Sequence, residues 1–254
     1  IVGCGILAMM PTNTGGILFV NKSGHMFSIS ENDVKGDEKF RYQAESTLGI
    51  SDSLKDPLRA TVLPNNRIAI SRGGEKPRIW IVNQAGKVAE EFPLEAVPVG
   101  DPVPMAGGAI AVLPNKLRLV GISGGGFVKE YVGIVRNNDE TQWASVTPLD
   151  QNHAIVINRE GELTKLQYRT SPSKHLQPSE SFSLQTSIDL PPVVTASNVF
   201  VALPDGTLHM LKVVGFEKEH NFKLSRPAIV PMLIAGNYLL VQTSDQQLQC
   251  FDTT

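Results

Sequence analysis

The stretch that decides the fold is Pro191-Pro-Val-Val-Thr-Ala-Ser-Asn-Val-Phe-Val-Ala-Leu-Pro-Asp-Gly-Thr-Leu-His-Met-Leu211. It contains a short apolar run, a turn, a second apolar run, an Asp-Gly turn, and a third run in which apolar and polar residues alternate. Alternation with a period of two is typical of a half-buried strand, and Asp-Gly favours a tight hairpin turn. The stretch therefore predicts three consecutive antiparallel strands.

The same pattern returns along the whole chain with a period of about 44 residues. The final copy, 231–251, matches the first one quoted, with Gln246 in place of Gly206. Other copies occupy 6–29, 59–92, 102–120 and 146–168. In the second copy, 59–92, we expect an insertion around 72–78 to separate the strands. The residues that open the second strand of each copy are Gly16, Asn66, Gly108, Asn152, Ser197 and Asn237.

Each of the first five copies is followed by a segment long enough for a fourth strand. The candidates are 40–48, 87–94, 128–136, 181–188 and 220–224. Four strands in about 40–45 residues is the specification of one blade of a β-propeller. We therefore predict an all-β chain with little helix. It forms a β-propeller of about six four-stranded blades, and residues 1–254 make up a single domain.

The sixth copy differs because the sequence stops at Thr254, directly after its third strand. We expect this last blade to be incomplete, or to be closed by an N-terminal segment. Ile1 is not a methionine, so we expect the chain to be a fragment of a longer protein in which a segment upstream of Ile1 belongs to the fold. An open edge would otherwise be left to pair with another chain.

Composition and charge exclude several classes of protein. The chain has 254 residues, of which 41% are hydrophobic and 19% charged, as in a globular protein. A net charge of -2 lacks the broad positive field that a nucleic-acid binder uses, so we predict no nucleic-acid partner. The apolar segment 1–10 is too short for a membrane span and lacks the basic start of a signal peptide. We interpret it as a core strand and predict no transmembrane segment.

The copies resemble the PQQ-type repeat of the quinoprotein alcohol dehydrogenase-like propellers. The resemblance is carried by the form Pro-x-Val-Val, turn, apolar strand, Asp-Gly-x-Leu, which is clearest at 191–211 and 231–251. That family includes membrane-bound or periplasmic dehydrogenases and outer-membrane assembly scaffolds. The resemblance therefore implies a propeller fold and favours an extracytoplasmic location, in the periplasm or cell envelope of a bacterium.

The residues that the enzymes of that family use are not matched in this sequence. It has no adjacent cysteine pair, its tryptophans are Trp80 and Trp143 alone, and no Glu, Asn and Asp group corresponds to a calcium and catalytic-base site. The five histidines have no spacing typical of a local metal site. We therefore predict no quinone or other cofactor, no metal site, no catalytic residues and no enzymatic activity.

Two features of the sequence are candidates for a role in binding or closure. Arg72, Lys76 and Arg78 form a dense basic loop that suits a carboxylate or an acidic partner surface, although a solvated loop beside Glu75 is the commoner explanation of such a segment. Cys4 and Cys250 lie near the two ends of the repeat array, where a disulfide would lock a closed ring. The alternative for the cysteines is a pair of buried free thiols.

These observations together predict an interaction or assembly scaffold with a protein partner. Propeller repeats supply two loop-rich faces, and no group of residues in this sequence satisfies a catalytic geometry. The alternative is a ligand-binding or hydrolytic propeller whose site lies at the channel mouth and is assembled from the loops of several blades.

Overall fold

A computed structural model describes residues 5–30, 46–47, 58–122, 125, 128–133 and 143–253. Within these ranges the regular elements are 23 β-strands, and no helix occurs. The strands form six antiparallel sheets, and in each sheet the strands follow one another in chain order. The chain divides into two compact units, Ile1–Val132 and Gly133–Thr254, each of which contains three sheets.

The first unit contains sheets 1 to 3, each with four strands. Sheet 1 consists of β1 Ile6–Pro11, β2 Ile17–Asn21, β3 His25–Ile29 and β4 Ser46–Thr47; sheet 2 of β5 Leu58–Leu63, β6 Arg67–Arg72, β7 Arg78–Val82 and β8 Val88–Pro93; and sheet 3 of β9 Val103–Met105, β10 Gly108–Val112, β11 Lys116–Val120 and β12 Tyr131–Val132.

The second unit contains sheets 4 to 6. Sheet 4 consists of β13 Trp143–Pro148, β14 His153–Asn158, β15 Glu162–Arg169 and β16 His175–Ser183; sheet 5 of β17 Val193–Val194, β18 Asn198–Ala202, β19 Thr207–Lys212 and β20 Lys218–Lys223; and sheet 6 of β21 Leu233–Ala235, β22 Tyr238–Gln242 and β23 Leu248–Asp252. Sheet 6 has three strands in the part of the chain that is described, as the sequence predicts.

The turn chemistry explains why the strands fold back on one another. Between β18 and β19, the amide of Gly206 donates to the carbonyl of Leu203 at 3.0 Å, and the Asp205 carboxylate accepts from the amide of Thr207 at 2.8 Å. Gly206 has a φ of 78°, which a residue without Cβ adopts at no cost. At the matched position between β22 and β23, Gln246 adopts a φ of 64°.

Neighbouring sheets pack face to face through apolar cores. Within the first unit, one core joins sheets 1 and 2 and another joins sheets 2 and 3. Within the second unit, one core joins sheets 4 and 5 and another joins sheets 5 and 6. A sheet in the interior of either unit is therefore covered on both faces, and its middle strands read as continuous apolar runs, as in Asn198–Ala202.

The fourth strand of sheet 4 is not where the sequence predicts it. The expected range was 181–188, whereas β16 is His175–Ser183, so the two share only three residues. The apolar residues that suggested the later range, Leu184 and Ile188, belong to a connecting loop and are packed into the core between sheets 4 and 5. Apolar residues that are buried in a loop thus gave the same sequence signal as a strand.

The segment 72–78 holds the insertion that the sequence predicts between two strands of the second copy. Arg72 and Arg78 are direct partners in the ladder between β6 and β7, so residues 73–77 form the loop of an ordinary hairpin. The insertion lengthens the turn and leaves the two strands paired.

Candidate functional site

The clearest unfilled position in the described chain is the outer edge of β23. In an antiparallel ladder, the backbone amides of successive residues point alternately towards the paired strand and away from it. Thr253 donates to the carbonyl of Asn237 at 2.9 Å and Thr243 donates to that of Gln247 at 3.0 Å, so the odd-numbered residues of β23 face β22. The amides of Leu248 and Cys250 therefore point away from β22, to an edge at which the described residues place no strand.

The matched edge in sheet 5 is occupied. There Lys212 donates to the carbonyl of Glu217, and Leu224 donates to that of Gly206, both at 2.9 Å. The even-numbered residues of β19 are thus bonded to β20, with Leu208 opposite Phe222 and Met210 opposite His220. Leu248 and Cys250 stand at the repeat positions of Leu208 and Met210, without a strand beside them in the described chain.

A cavity of about 750 Å³ lies beside this open edge, between sheets 5 and 6. Its walls come from β18, β19 and β20 and from the end of β23. The lining residues are Ala196, Ser197, Asn198, Met210, Lys212, Val213, Val214, Glu219, His220, Phe222, Asp252 and Thr253. The wall combines apolar side chains with both signs of charge, which suits a peptide more than a single small ion.

The equivalent position between sheets 4 and 5 is filled by the turn that joins β19 to β20. The amide of Gly215 in this turn donates to Oε2 of Glu180 at 2.6 Å, and Lys165 contacts Oε1 of the same carboxylate at 3.2 Å. Phe216 follows and is completely buried in the core between the two sheets. Glu180 and Lys165 occupy the repeat positions of His220 and Met210, which line the cavity between sheets 5 and 6.

The negative charge of Glu180 strengthens the hydrogen bond that holds the turn between β19 and β20. Burial raises the pKa of Glu180, but the Gly215 amide and the Lys165 ammonium outweigh burial and hold that pKa below its usual range. The carboxylate is therefore charged at neutral pH and binds the turn by a charge-assisted hydrogen bond.

The side of sheet 6 that faces away from sheet 5 carries exposed apolar side chains. Leu233, Tyr238 and Leu248 are more than half exposed, whereas Leu239 and Val241 on the opposite side are buried against sheet 5. Phe251 faces sheet 5 as well, and its ring lies 5.1 Å from that of Phe222. Sheet 6 thus has one packed side, one exposed apolar side and one open edge.

The predicted basic loop of the first unit is largely engaged with its own sheet. Arg78 forms an ion pair with Glu91, and its guanidinium lies 5.9 Å from the centre of the Trp80 ring. Arg72 is half-buried opposite Arg78, and Lys76 is exposed at the loop. Arg72 and Arg78 are partners in the ladder, and Lys76 lies in the loop between them; the role of the three cations in binding a partner stays a prediction.

Other charges of the first unit neutralise one another. Lys116 and Arg118 on β11 each contact both Glu95 and Glu130. The hydrogen bond from Lys116 to Glu95 raises the pKa of Lys116 and keeps its ammonium protonated. This cluster stabilises the sheet locally and offers no surplus charge to a polyanion.

The structure describes only one of the two cysteines of the predicted disulfide. Cys250 lies on β23 and is exposed, so the alternative of a buried thiol is wrong for this residue. Cys4 lies outside the described residues, and a disulfide between Cys4 and Cys250 stays a prediction.

The described residues contain no group of three or more His, Cys, Asp or Glu side chains arranged to hold a metal ion. They also contain no helix of the length and apolarity that a membrane crossing requires.

Sequence reasoning did not find the residues that line the cavity. They come from separate strands of two neighbouring copies, and the repeat pattern gave no reason to single them out as a site. The short sixth copy predicted a last blade that is incomplete or closed by an N-terminal segment, and it did not predict the cavity.

Comparison with solved structures identifies the class of protein. The six consecutive antiparallel sheets are those of a β-propeller, and three propeller structures superpose over nearly the whole chain. No protein-family model matches the chain, and no curated protein matches it in sequence.

The three structures are similar to this chain in fold and distant in sequence. BamB from Moraxella catarrhalis has a TM-score of 0.63 at 14% identity, over 97% of this chain and 72% of that chain. The Cps50 (Swd1) β-propeller domain of Myceliophteria thermophila gives 0.60 at 12% identity, over 100% and 84%. The C-terminal WD40 domain of Sif2 gives 0.62 at 12% identity, over 97% and 66%.

Proposed function

We propose that this chain is a protein-interaction or assembly module built on a β-propeller. The observation that carries the proposal is the exposure of Leu233, Tyr238 and Leu248 on one side of sheet 6. Contiguous exposed apolar side chains with a polar surround mark a surface that binds another protein. The protein partner is unidentified.

Two finer features of the proposal rest on the repeat itself. The form of the copies at 191–211 and 231–251 supports membership of the PQQ-type repeat propellers, as a non-enzymatic member. The resemblance of the repeat to that family is also the ground on which we propose an extracytoplasmic location. Residues 1–254 form one propeller domain in this proposal.

Site-specific photo-crosslinking in the source organism tests the interaction role. A photoreactive side chain at Tyr238, on that side of sheet 6, is expected to give a discrete adduct with another protein. The matched control is Gln177 on β16, which is exposed on a sheet whose neighbour is in place, and which is expected to give none. Absence of adducts from Tyr238, Leu233 and Lys76 alike would contradict the proposal.

Fractionation of the same cells tests the compartment separately. The protein is expected in the periplasmic or envelope fraction, and recovery with cytosolic markers would contradict that part of the proposal. The crosslinking result stands independently of this one.

The basic loop is a second surface within the same proposal. Lys76 is exposed, so Lys76→Glu reverses a charge without removing the ion pair of Arg78 with Glu91. If the loop binds an acidic partner, adducts formed from neighbouring Glu75 are expected to disappear in this variant and to persist in Lys76→Arg.

A further inference from the structure

We propose that two exposed valines, Val97 and Val99, form with Lys76 of the basic loop a docking surface for a segment of a partner protein in which an apolar side chain is flanked by carboxylates. The valines lie on the connection 94–102, which leads from β8 of sheet 2 to β9 of sheet 3. Both of these sheets have four strands and belong to the first unit. This inference rests on the proposed function, since it names the kind of partner that one surface would bind.

A second connection of the same kind provides a matched comparison. The connection 184–192 leads from sheet 4 to sheet 5, and the Phe-x-Leu form that begins at Phe182 matches the one that begins at Phe92. In this alignment Pro98 corresponds to Ile188, and both residues are buried. The two connections therefore bury the same position.

The positions of the two valines are exposed in both connections, but only the first connection fills both with apolar side chains. Val97 and Val99 are 48% and 47% exposed, and their counterparts Ser187 and Asp189 are exposed polar residues. Ile229, in the connection from sheet 5 to sheet 6, stands at the position of Val99 and is exposed as well. Since a serine and a carboxylate satisfy the fold at these positions, the two valines are not needed to build it. Neighbouring apolar side chains left in water mark a surface that another protein covers.

The connection 94–102 is held firmly by the sheets on either side of it. The amide of Leu94 donates to the carbonyl of Pro77 at 2.9 Å, and the amide of Val99 donates to that of Val112 at 2.8 Å. Leu94 is also buried in the core between sheets 2 and 3. A surface that is fixed before binding loses little conformational freedom when a partner docks.

The basic loop belongs to the same surface as the valines. A methyl group placed on Gly73, in this loop, would lie 2.9 Å from Cγ1 of Val97, so the loop and the connection are in direct contact. Lys76, three residues farther along the loop, is exposed. An apolar patch thus lies beside an exposed ammonium group.

The charges around the valines favour an acidic partner. Residues 72–78 carry three cations and one carboxylate, Glu75. The two carboxylates of the connection are engaged within the fold: Glu95 contacts both cations of β11, and Asp101 lies 3.5 Å from the guanidinium of Arg59. Carboxylates placed around an apolar side chain would complement this arrangement.

A peptide library tests the proposal without a known partner. Random peptides of about twelve residues, which span about 40 Å when extended, are selected on the immobilised 254-residue chain. They are counter-selected on Val97→Ser/Val99→Asp, which carries the residues of the matched connection and is expected to unfold at the same urea concentration as the parent. We expect peptides in which an aliphatic or aromatic residue is flanked by Asp or Glu. Peptides rich in Lys or Arg, or none that distinguish the parent from the variant, would overturn the proposal.

Two substitutions at Lys76 separate its charge from its shape. In a fluorescence anisotropy titration, a selected peptide is expected to bind Lys76→Glu about fivefold to tenfold more weakly than the parent, because an attraction is replaced by a repulsion. Lys76→Arg keeps the charge and is expected to bind within about twofold of the parent. Equal affinities for the two variants would contradict recognition of carboxylates.

Sedimentation velocity tests the other occupant of this surface, a second copy of the chain. The parent and Val97→Ser/Val99→Asp are expected to sediment alike. A parent dimer that the double substitution dissociates would show that this surface binds its own copy, and would overturn the inference.

The outcomes distinguish this inference from the proposed function. If the library yields no such peptides while photo-crosslinks from Tyr238 persist, the valine surface is not a docking site and the interaction role stands. Absence of adducts from Tyr238, Leu233 and Lys76 alike, together with failure of the selection, would remove both.

Discussion

Sheets 5 and 6 are two copies of one repeat, and they differ in what surrounds them. Leu208 on β19 is fully buried, whereas Leu248, at the same position of the repeat on β23, is 67% exposed. The two leucines have the same chemistry and the same place in a third strand. The difference in burial arises because Leu208 faces sheet 6 and lies beside β20, while Leu248 faces away from sheet 5 and has no fourth strand beside it in the described chain.

The repeat sequence determines where each strand forms, whereas the adjacent sheets and strands determine how much that strand contributes to stability. Burial of an apolar side chain stabilises only where another sheet takes it out of water. A position that is part of the core in one copy is therefore exposed in the next.

Removal of the ring that fills the space between sheets 4 and 5 should have the largest effect. Phe216→Ala is expected to lower the free energy of unfolding by about 3–5 kcal/mol, because it leaves a cavity in a close-packed core. The control is Val214→Ala in the same turn, where a side chain 73% exposed should cost no more than about 0.5 kcal/mol. Urea denaturation measures both, and similar losses would show that Phe216 is not part of the core.

The matched leucines provide the direct test of the comparison. Leu208→Ala is expected to cost about 2–5 kcal/mol, and Leu248→Ala no more than about 0.5 kcal/mol, because only the first removes buried methyl groups. Chemical denaturation of the two variants measures the difference. A cost above about 2 kcal/mol for Leu248→Ala would mean that this side chain is covered in solution.

The hydrogen bond that holds the turn in sheet 5 should have an intermediate effect. Glu180→Gln keeps an acceptor for the Gly215 amide but removes the charge, and is expected to cost about 1 kcal/mol at pH 7. His220→Gln, at the same repeat position in sheet 5, has no such turn to hold and is the control.

This effect also depends on pH, with a sign that follows from the lowered pKa of Glu180. A depressed carboxyl pKa gives stability that is fully present above the ordinary glutamate value of 4.5 and is lost as the pH falls through the folded-state pKa. The difference between the parent and Glu180→Gln should therefore shrink towards acid pH. A difference that stays constant from pH 7 to about pH 3 would contradict the charge-assisted bond.

The smallest expected effect concerns His209 on β19. Burial, followed by the nearby Lys218 ammonium, lowers the pKa of His209, and its Nδ1 atom is buried without a hydrogen-bond partner. Because the folded state disfavours the proton, this residue should make stability fall as the pH drops below 6.5, where the unfolded chain binds the proton more readily.

His209→Asn is expected to remove part of that slope, which melting temperatures at a series of pH values between 7.5 and 5.5, a window of about one unit on either side of the ordinary histidine value, would measure. His175→Asn, at the half-buried first position of β16, is the control for a histidine substitution elsewhere in the same unit. An unchanged slope in His209→Asn would show that its proton does not distinguish the folded from the unfolded chain.

The fold could be predicted well because each copy of the repeat carries its own strand and turn signals. Alternation and the turns at Gly24, Gly161 and Gly206 placed the hairpins, and each of these glycines has a positive φ in the structure. The fourth strands were harder to place, because they are polar outer strands with few alternating apolar residues. A shared Phe-x-Leu form, at Phe92, Phe182 and Phe222, marks the end of three of them and would have placed β16 correctly.

The candidate site could be predicted only in part. The short sixth copy predicted a last blade that is incomplete or closed by an N-terminal segment, and the described residues place three strands in sheet 6. The cavity beside it depends on which face of sheet 5 points to sheet 6 and on the turn with Phe216 in the neighbouring space. Both features depend on how neighbouring copies pack, and the sequence pattern of a single copy carries no information about that packing.

Amide hydrogen exchange measured residue by residue tests the central claim most directly. The structure predicts that the amides of Leu208 and Met210 exchange slowly, because each is bonded to β20 in a buried sheet. It predicts that the amides of Leu248 and Cys250 exchange rapidly, at least about a hundredfold faster, as expected for donors at an open edge. Equal protection of the two pairs would show that a fourth strand already lies along β23 and would contradict the account of sheet 6 as a sheet with an open edge.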